Sequence, residues 1–480
     1  MYDKNGDSLI SHVIVSTYEY YEYKVLQERI GDKVRNIIPP TEANVEYANG
    51  KVANADAMSE DFINNSLIKQ YLDDDKCTII LFENPPYRDI SSDVFKTKQS
   101  NYVKTEMQKA GLKGALLNEL TNRFIWSGIT YYLRQTTDSY ILFSPVKYFK
   151  RYDFFNLTYR DGYLFNRKYF HATPAGISCI WWQNKIKDIS TQNIILKAYD
   201  IQNNNLAQKN TIRIKKVHKL FSKVLYDHRS DSKDTDNGIW CNMDGTERLN
   251  PKGCRIKPLF NKNIIAYEQV ASYNFRPTHR QLLRCGEYDG NGFFVRCDNY
   301  LEKLPLWVAK LIPLDDWYDK EIYATTADGG TAYTNDKDFL KQCLIYTALS
   351  NQNKCLTFTG SDKRFYQNEL CLDNTNFTPQ AKKDLDQMKL TDDEQKLVDL
   401  FDKILKEAKQ TKNYNSDYTY GVYQITKDLN TFHFEGAGTR KKKVYDYPTL
   451  NGDLNTLRVQ LKQYYLDYIK DNMFKYELVK

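Results

Sequence analysis

Residues 77–87 read CTIILFENPPY, and this stretch decides the fold that we expect for the first part of the chain. A short apolar run such as residues 77–82 is typical of a buried strand. Pro85 and Pro86 end it, because proline fixes the backbone φ angle and lacks an N–H donor. A rigid loop directly after a strand lies at the carboxyl edge of a parallel sheet, which is where ligands bind in α/β proteins.

Short apolar runs alternate with helical stretches on both sides of this loop, which indicates an α/β fold. Gly31 ends the first helical stretch. The expected strands or apolar runs cover residues 12–16, 34–39, 77–82, 140–145 and 177–182, and the expected helices cover 19–30 and 112–133. Residues 162–182 are expected to form the closing hairpin of this first domain.

The character of the sequence changes after this region. Residues 226–254 are polar, rich in Gly, Asn and Asp, and almost without apolar periodicity, which is typical of a long loop or a domain boundary. We therefore predict a first domain at 1–195, a connecting segment at 196–254, and an α+β region at 255–480 with helices at 390–409 and 454–473.

Composition excludes several classes of protein. The 480 residues are 41% hydrophobic and 14% aromatic, too rich in aromatic residues for a disordered chain. The mean hydropathy is -0.66, and no apolar run approaches the roughly 20 residues that a spanning helix needs. The start, MYDKNGDSLI, lacks the pattern of a signal peptide. We expect a cytoplasmic protein that has no contact with a membrane.

Net charge and cysteine content set weaker bounds. A formal charge of +7 permits a nucleic-acid partner without requiring one. The nine cysteines suit reduced thiols. Cys241, Cys254, Cys285 and Cys297 have no close C-x-x-C pair, so we interpret them as isolated thiols and predict no metal site.

The loop at residues 84–87 has the donors and acceptors that an exocyclic amino group needs. The Asn84 side-chain oxygen and the Pro85 carbonyl can accept its two N–H hydrogens, while Tyr87 stacks on the ring. Holding both hydrogens favours a tetrahedral nitrogen whose lone pair can attack an electrophilic methyl group. The loop therefore predicts transfer to an amino nitrogen, with residues 84–87, Pro86 included, as the catalytic segment.

Residues 84–87 (Asn-Pro-Pro-Tyr) resemble motif IV of the S-adenosylmethionine-dependent amino-group methyltransferases, which include the N6-adenine DNA methyltransferases. Residues 54–58 resemble motif III, and the strand and acidic stretch at 12–22 resemble motif II. The resemblance implies a Rossmann-like methyltransferase domain with S-adenosyl-L-methionine as cofactor. It also implies cofactor contacts, namely Asp56 at the adenine amino group, Glu19 or Glu22 at the ribose, and Phe82.

The same resemblance implies double-stranded DNA as partner. Basic residues follow the loop, where they form either a solvated surface or a flap that contacts phosphates. Phe124 and Trp126 either belong to the core or line a base pocket. The predicted DNA contacts in the flap are Arg88, Lys96, Lys98 and Lys104. Those in the second region, interleaved with aromatic residues, are Arg276, Lys310, Arg440, Lys441, Lys442 and Lys443.

One motif of the family is missing. A Gly-rich motif I should precede motif II, and the residues before His12 do not supply it, so the domain is expected to be amino-terminally incomplete. Residues 434–438, FEGAG, match the sequence pattern of motif I, but we interpret them as a glycine turn. Either a second polypeptide supplies the motif, or the chain is a fragment of a longer enzyme, or catalysis has been lost.

The leading hypothesis is an adenine-N6 DNA methyltransferase, or its subunit, of restriction–modification or phage type. The alternatives are an RNA methyltransferase, a glutamine methyltransferase, which the length disfavours, and a DNA-binding specificity or decoy protein without catalysis. DNA cleavage by this chain is not expected, because no Pro-Asp dipeptide accompanies the E-x-K triplets of the sequence.

Overall fold

The computed structural model describes residues 3–18, 20–47, 50–85, 101–170, 175–225, 264–270, 275, 281–285, 292–314, 316–359, 363, 365–374, 377–436 and 442–480. Two compact units divide the chain, Met1–Lys216 and Val217–Lys480. No helix among the described residues is long and apolar enough to cross a membrane.

The first unit combines a six-stranded sheet with short helices and two small sheets. Its helices are α1 Tyr20–Ile30, α2 Glu60–Ile63, α3 Ser66–Leu72, α4 Tyr102–Lys109, α5 Ala115–Asn118, α6 Leu120–Ser127 and α7 Lys147–Arg151. Its strands are β1 Ile14–Val15, β2 Asn36–Ile37, β3 Thr41–Tyr47, β4 Gly50–Asn54, β5 Ile80–Glu83, β6 Ser139–Ser144, β7 Leu157–Asn166, β8 Gly176–Ile186, β9 Ile194–Gln202 and β10 Asn205–Ile214. A π-helical turn, Gly128–Tyr132, continues α6.

The six-stranded sheet has the order β10-β9-β7-β8-β6-β5 and is mixed. The pairs β5–β6 and β7–β9 are parallel, whereas the other three pairs are antiparallel. The strand that carries the Asn-Pro loop, β5, is the last strand of this order and so an edge strand among the described residues. The sequence predicted a parallel sheet around this loop. The observed sheet differs because the hairpin β7–β8 brings β8 back against β6 in the opposite direction.

One face of this sheet is covered by a buried aromatic cluster. The indole of Trp182 is fully buried, and its ring lies 4.6 Å from that of Phe155 and 5.4 Å from that of Phe149. Gly162 lies on the same face, and a Cβ atom there would approach Leu196 Cδ2 to 2.5 Å. Close packing across β7, β8 and β9 therefore fixes this side of the sheet.

A second apolar cluster packs beneath β5 and the segments that precede it. Val103 and Met107 of α4 are fully buried there, together with Phe62 and Met58. Ile14 of β1 and Leu81 of β5 both pack against this cluster. It therefore ties the small sheet β1–β2 to the edge of the large one, although the two sheets share no ladder.

A buried carboxylate fixes the entry into β5. Asp138 accepts hydrogen bonds from the backbone N–H groups of Ile79 at 2.8 Å, Arg134 at 2.8 Å and Gln135 at 2.9 Å. The Arg134 guanidinium in turn donates to the carbonyl oxygens of Leu72, Asp74 (3.1 Å) and Cys77 (2.6 Å). Polar groups that would cost free energy if buried without partners thus hold the turn that starts the strand.

The expected elements of the first unit are found, with shifted bounds. The helix after residue 19 ends at Ile30, and the hairpin across residues 162–182 is confirmed as β7–β8. The single helix expected at 112–133 is instead α5, α6 and the π-helical turn. Residues 196–214 were predicted to connect domains, but they pair as β9 and β10, which carries the first unit to Lys216.

The second unit is mainly helical, with a three-stranded antiparallel sheet of order β12-β11-β13. Its helices are α8 Phe221–Val224, α9 Tyr300–Ala309, α10 Asp319–Ile322, α11 Lys337–Leu349, α12 Gln380–Leu385, α13 Asp392–Ala408, α14 Val422–Leu429, α15 Pro448–Tyr464 and α16 Lys470–Lys475. Its strands are β11 Ile264–Val270, β12 Gln281–Arg284, β13 Gly292–Arg296, β14 Phe358–Thr359, β15 Phe365–Tyr366, β16 Phe432–Glu435 and β17 Lys442–Tyr445.

The core of this unit forms around α11, whose residues are almost all buried. The predicted charged helix is confirmed as α13, which begins with a capping box between Thr391 and Glu394. Glu394 is buried, and it also pairs with Lys341 of α11 at 2.9 Å and accepts a hydrogen bond from Tyr464 at 3.0 Å. The capping residue of one helix thus binds two others. The polar loop predicted at 226–254 lies outside the described residues.

Candidate functional site

Asn84 and Pro85 lie directly after the last residue of β5. Asn84 is exposed, whereas Pro85 is buried. An exposed amide followed by a buried proline leaves the side chain accessible while the backbone after it is anchored. Pro86 and Tyr87, the other two residues of the predicted catalytic segment, lie outside the described residues.

Glu83 precedes Asn84, and its carboxylate accepts a hydrogen bond from the Tyr140 hydroxyl on the neighbouring strand β6. Burial raises the pKa of the Glu83 carboxyl from 4.5 to about 7, and the Tyr140 hydrogen bond acts in the opposite direction. The group therefore changes charge close to neutral pH.

Two further residues complete the surroundings of Glu83. The buried Tyr132 hydroxyl has no hydrogen-bond partner among the described residues, and burial together with the Glu83 charge raises the pKa of Tyr132. Gly128 stands where a Cβ atom would lie 3.0 Å from both Leu81 Cδ2 and the Tyr140 hydroxyl. The end of β5 is thus packed closely against the π-helical turn.

Asp56 lies in the turn between β4 and α2. Its carboxylate accepts the Met58 N–H at 3.0 Å, and its carbonyl accepts the Ser59 N–H at 2.9 Å. The preceding residue, Ala55, donates its N–H to the Tyr18 carbonyl at 3.3 Å. This bond brings the segment of Asp56 against the start of α1, where motif II was predicted.

Two acidic residues, Glu19 and Glu22, were predicted to contact the ribose from that segment. Glu22 is exposed in the first turn of α1 and accepts a hydrogen bond from the Thr17 hydroxyl. Glu19 lies outside the described residues. The structure therefore brings together Asp56 and the backbone around Tyr18, next to Glu22.

Phe82 lies on the other side of β5. Its side chain is 61% exposed and meets the Phe143 ring edge to face at 5.6 Å. Because side chains alternate across a strand, Phe82 points away from the cluster that holds Leu81, Ala55 and Met58. The structure thus does not group Phe82 with Asp56.

Four DNA contacts were predicted in the first unit. Three of them, Arg88, Lys96 and Lys98, lie outside the described residues. Lys104 is partly exposed on α4, between the buried Val103 and Met107. Phe124 and Trp126 pack against the cluster beneath β5, and the Trp126 ring meets Tyr131 edge to face at 5.7 Å. Their packing supports the interpretation as core residues.

In the second unit, the structure corrects one predicted phosphate contact. Lys310 is only 4% exposed, at the end of α9, and its ammonium lies 5.2 Å from the centre of the Phe275 ring. Burial lowers the pKa of Lys310 to about 7. A side chain with so little exposure is not available to a surface phosphate.

The FEGAG segment, residues 434–438, directly precedes the remaining basic candidates at 440–443. Strand β16 ends at Glu435, Gly436 follows with φ of 94°, and β17 returns antiparallel. Residues 434–436 therefore belong to a β-hairpin, whereas a cofactor loop needs a strand followed by a turn and a helix; residues 437 and 438 lie outside the described residues. Lys442 and Lys443 lie on β17, whereas Arg276, Arg440 and Lys441 lie outside the described residues.

No group of three or more His, Cys, Asp or Glu side chains suited to a metal ion occurs in the part of the chain that the structure describes. Sequence reasoning overlooked Glu83 and its partner Tyr140. The signal was available, since Glu83 is the acidic residue at the end of an apolar strand and immediately precedes the amide of Asn84.

No protein-family model matches the chain, and no curated protein matches it. Among solved structures, the chain is similar to the Type IIL restriction–modification enzyme MmeI in complex with DNA, with a TM-score of 0.27 and 13% sequence identity. The match covers 55% of this chain and 33% of the MmeI chain, so the chain spans about a third of that protein.

Proposed function

We propose that the first unit carries the active site of an S-adenosyl-L-methionine-dependent methyltransferase that acts on the N6 amino group of adenine in DNA. The observation that carries the proposal is the position of Asn84, exposed at the end of β5 and followed by the buried Pro85. An amide oxygen and a proline carbonyl in succession suit the two hydrogens of an exocyclic amino group.

In this proposal the chain's own residues bind and orient the amino group. Asn84 accepts one N–H and the Pro85 carbonyl accepts the other, which leaves the nitrogen lone pair directed away from the loop. Tyr87 stacks on the base. Glu83 and Tyr140 hold the end of β5 and so fix the direction in which Asn84 leaves the strand.

The cofactor contacts are proposed from the residues that the Ala55–Tyr18 hydrogen bond brings together. Asp56 accepts the Met58 N–H, and each oxygen of a carboxylate can accept more than one hydrogen bond, including one from an amino group. Glu22 or Glu19 would accept from ribose hydroxyls. When bound, S-adenosyl-L-methionine would supply an electrophilic methyl group. Phe82, on the opposite side of β5, suits this role less well than Asp56.

A partner segment that supplies the Gly-rich motif I is part of the proposal. Its support is the edge position of β5, where Ile80 is 56% and Phe82 61% exposed. An edge strand with exposed apolar side chains is suited to pairing with a further strand. A second polypeptide or another stretch of a longer chain could provide that strand. Double-stranded DNA would contact Lys104 and the basic residues that follow the loop.

The test of catalysis is transfer of a radiolabelled methyl group from S-adenosyl-L-methionine to mixed-sequence DNA. We expect Asn84→Ala to reduce the rate by about 100-fold or more, because it removes one of two positioned acceptors. Asn205→Ala is the matched control, since Asn205 is an exposed amide at the opposite edge of the sheet. Equal rates in the wild type and Asn84→Ala would refute the assignment.

Two further results would redirect the proposal. Label on RNA in preference to DNA would favour the RNA methyltransferase. No transfer with intact DNA binding would favour either a missing partner segment or the non-catalytic alternative, and addition of a lysate from the native source would separate these two. Recovery of transfer requires the partner, whereas continued inactivity identifies a DNA-binding protein.

Cofactor binding is tested separately by isothermal titration calorimetry. Asp56→Asn keeps an oxygen for the Met58 N–H but places an amide donor where the cofactor's amino group would donate. We expect at least about a 10-fold weaker affinity, since a donor facing a donor loses the hydrogen bond and leaves both groups unpaired. Asp61→Asn on the exposed side of α2 is the control. Unchanged affinity in Asp56→Asn would remove Asp56 from the site.

A further inference from the structure

The hairpin of β16 and β17 is an exposed element between two packed helices. All four residues of β16 are exposed, as are Lys442 and Lys443. The hairpin follows α14 and precedes α15, and both helices bury apolar residues in the core of the second unit. The hairpin therefore extends from two packed helices, with β16 and the first half of β17 exposed.

The register of the hairpin separates two faces of different chemistry. Phe432 pairs with Tyr445, and Phe434 pairs with Lys443, so these four side chains share one face. Phe434 is 60% exposed and Phe432 44%. We call these four side chains the aromatic face. Large apolar side chains exposed together mark an interaction surface more often than scattered ones do.

A lysine lies within the aromatic face. The Lys443 ammonium lies 3.8 Å from the centre of the Phe432 ring and 4.4 Å from that of Tyr445, and it donates to the Tyr445 hydroxyl at 3.0 Å. Phe432 and Phe434 meet edge to face at 5.6 Å. A positive charge is thus held beside the exposed Phe432 ring and the half-buried Tyr445 ring, and little side-chain freedom remains to be lost on binding.

The opposite face and the base of the hairpin are held by polar contacts. His433 lies between Asp446 at 2.9 Å and Glu435 at 3.2 Å, and both carboxylates raise the pKa of His433. The Asp446 N–H donates to the Thr431 carbonyl at 3.1 Å. The two acidic side chains of the hairpin are therefore engaged with His433, away from the aromatic face.

The charge of this segment identifies the chemistry of its partner. Residues 440–443 are Arg-Lys-Lys-Lys, four basic residues in succession, and the last two are exposed on β17. A surface that combines aromatic rings with several positive charges suits a ligand that offers flat rings and negative charges at short intervals. Nucleic acid with unpaired bases has both, because its bases are free to stack and its phosphates follow one another along the strand.

We propose that the aromatic face binds single-stranded nucleic acid, with unpaired bases stacked on Phe432 and Phe434 and a phosphate contacted by Lys443, the lysine of the same face. This surface belongs to the second unit and is independent of Asn84, so the inference goes beyond the proposed methyl transfer. It holds whether or not the first unit is catalytic.

Fluorescence anisotropy of the full chain with a labelled single-stranded DNA oligonucleotide tests the proposal. Stacking on an aromatic side chain contributes enough that Phe434→Ala should weaken the affinity by about 5- to 100-fold. Phe434→Trp should keep most of the affinity and Phe434→Leu should not, because only tryptophan retains a stacking ring. Phe365→Ala is the matched control, since Phe365 is 45% exposed elsewhere in the same unit.

The salt dependence tests the phosphate contact. Lys443→Ala should lower the slope of log affinity against log salt by about 0.7, the value for one phosphate of a single strand. Lys396→Ala, an exposed lysine of α13 paired with Asp393, should leave the slope unchanged. Unaltered melting temperatures would show that the variants remain folded.

Four outcomes would overturn the proposal. These are unchanged single-strand affinity in Phe432→Ala/Phe434→Ala, an equal loss in Phe365→Ala, a loss confined to duplex DNA, and a loss of affinity for a protein partner while oligonucleotide binding is unchanged. The third outcome would indicate a contact with the duplex and the fourth a protein interface.

Discussion

Replacement of Glu83 by glutamine should change the stability of the first unit in a manner that depends strongly on pH. The carboxyl has an ordinary pKa of 4.5 in the unfolded chain and a pKa of about 7 in the folded protein, because burial disfavours its charged form. Glutamine keeps an oxygen for the Tyr140 hydroxyl but never becomes charged. Glu83→Gln therefore removes the penalty of a buried charge while preserving the hydrogen bond.

The sign and size of the effect follow from proton linkage. Between pH 4.5 and about 7 the folded state binds more protons at Glu83 than the unfolded state, so the free energy of unfolding falls as the pH rises. The contribution of Glu83 is fully present below pH 4.5 and lost as the pH rises through 7. At about 1.4 kcal/mol per pH unit, the loss is up to about 3 kcal/mol.

The assay is urea unfolding of the full chain at pH 5 and pH 8, with hydrogen exchange of the β6 and β8 amides to report on the first unit alone. We expect Glu83→Gln to be within about 1 kcal/mol of the wild type at pH 5 and up to about 3 kcal/mol more stable at pH 8. Glu60→Gln, an exposed carboxylate of the same unit, should change stability by less than about 0.5 kcal/mol at either pH. A variant that is destabilised at pH 8, or equally altered at both pH values, would refute the reasoning.

Three other substitutions test interactions within each unit, with the free energy of unfolding in urea as the measured quantity. Asp138→Asn should cost about 3 kcal/mol, because an amide cannot accept all three backbone N–H groups; a loss below 1 kcal/mol would contradict this. Gly329→Ala should lower the free energy of unfolding by more than about 1 kcal/mol, since the new Cβ would lie 2.1 Å from the Tyr476 carbonyl oxygen. An unchanged free energy of unfolding would show that the backbone moves to relieve this contact. Lys341→Met should lower the free energy of unfolding by about 3 kcal/mol, because it leaves the Glu394 carboxylate buried without its cation. If the charge is the cause, the added substitution Glu394→Gln should restore part of that loss.

The sequence predicted those elements whose periodicity is decided locally. Strand β6 follows from the apolar run that ends at Pro145, and α13 follows from a capping box and a regular apolar stripe. Both are specified by residues within a few positions of one another, so no tertiary information is required.

The features that sequence reasoning missed depend on distant residues. The edge position of β5 and the antiparallel insertion of β8 are set by pairings between segments about 35 to 60 residues apart. The raised pKa of Glu83 comes from burial of its carboxyl, which the Tyr140 hydrogen bond only partly offsets, and the motif reveals neither the burial nor the partner. The prediction that Lys310 contacts phosphate was wrong for the same reason. A basic residue among aromatic residues suggests a surface, and only the structure shows that Lys310 is buried at the end of α9.

The last residues of the sequence bear on how the second unit is synthesised. Lys480 exchanges backbone hydrogen bonds with Ala324, and the Leu478 carbonyl accepts the Thr326 N–H. The Lys480 ammonium reaches Asp328, 152 positions earlier, at 2.9 Å. During translation these contacts cannot form until residue 480 has left the ribosome. The second unit must therefore complete its core after its last helix has been made, and until then its apolar surface is available to chaperones.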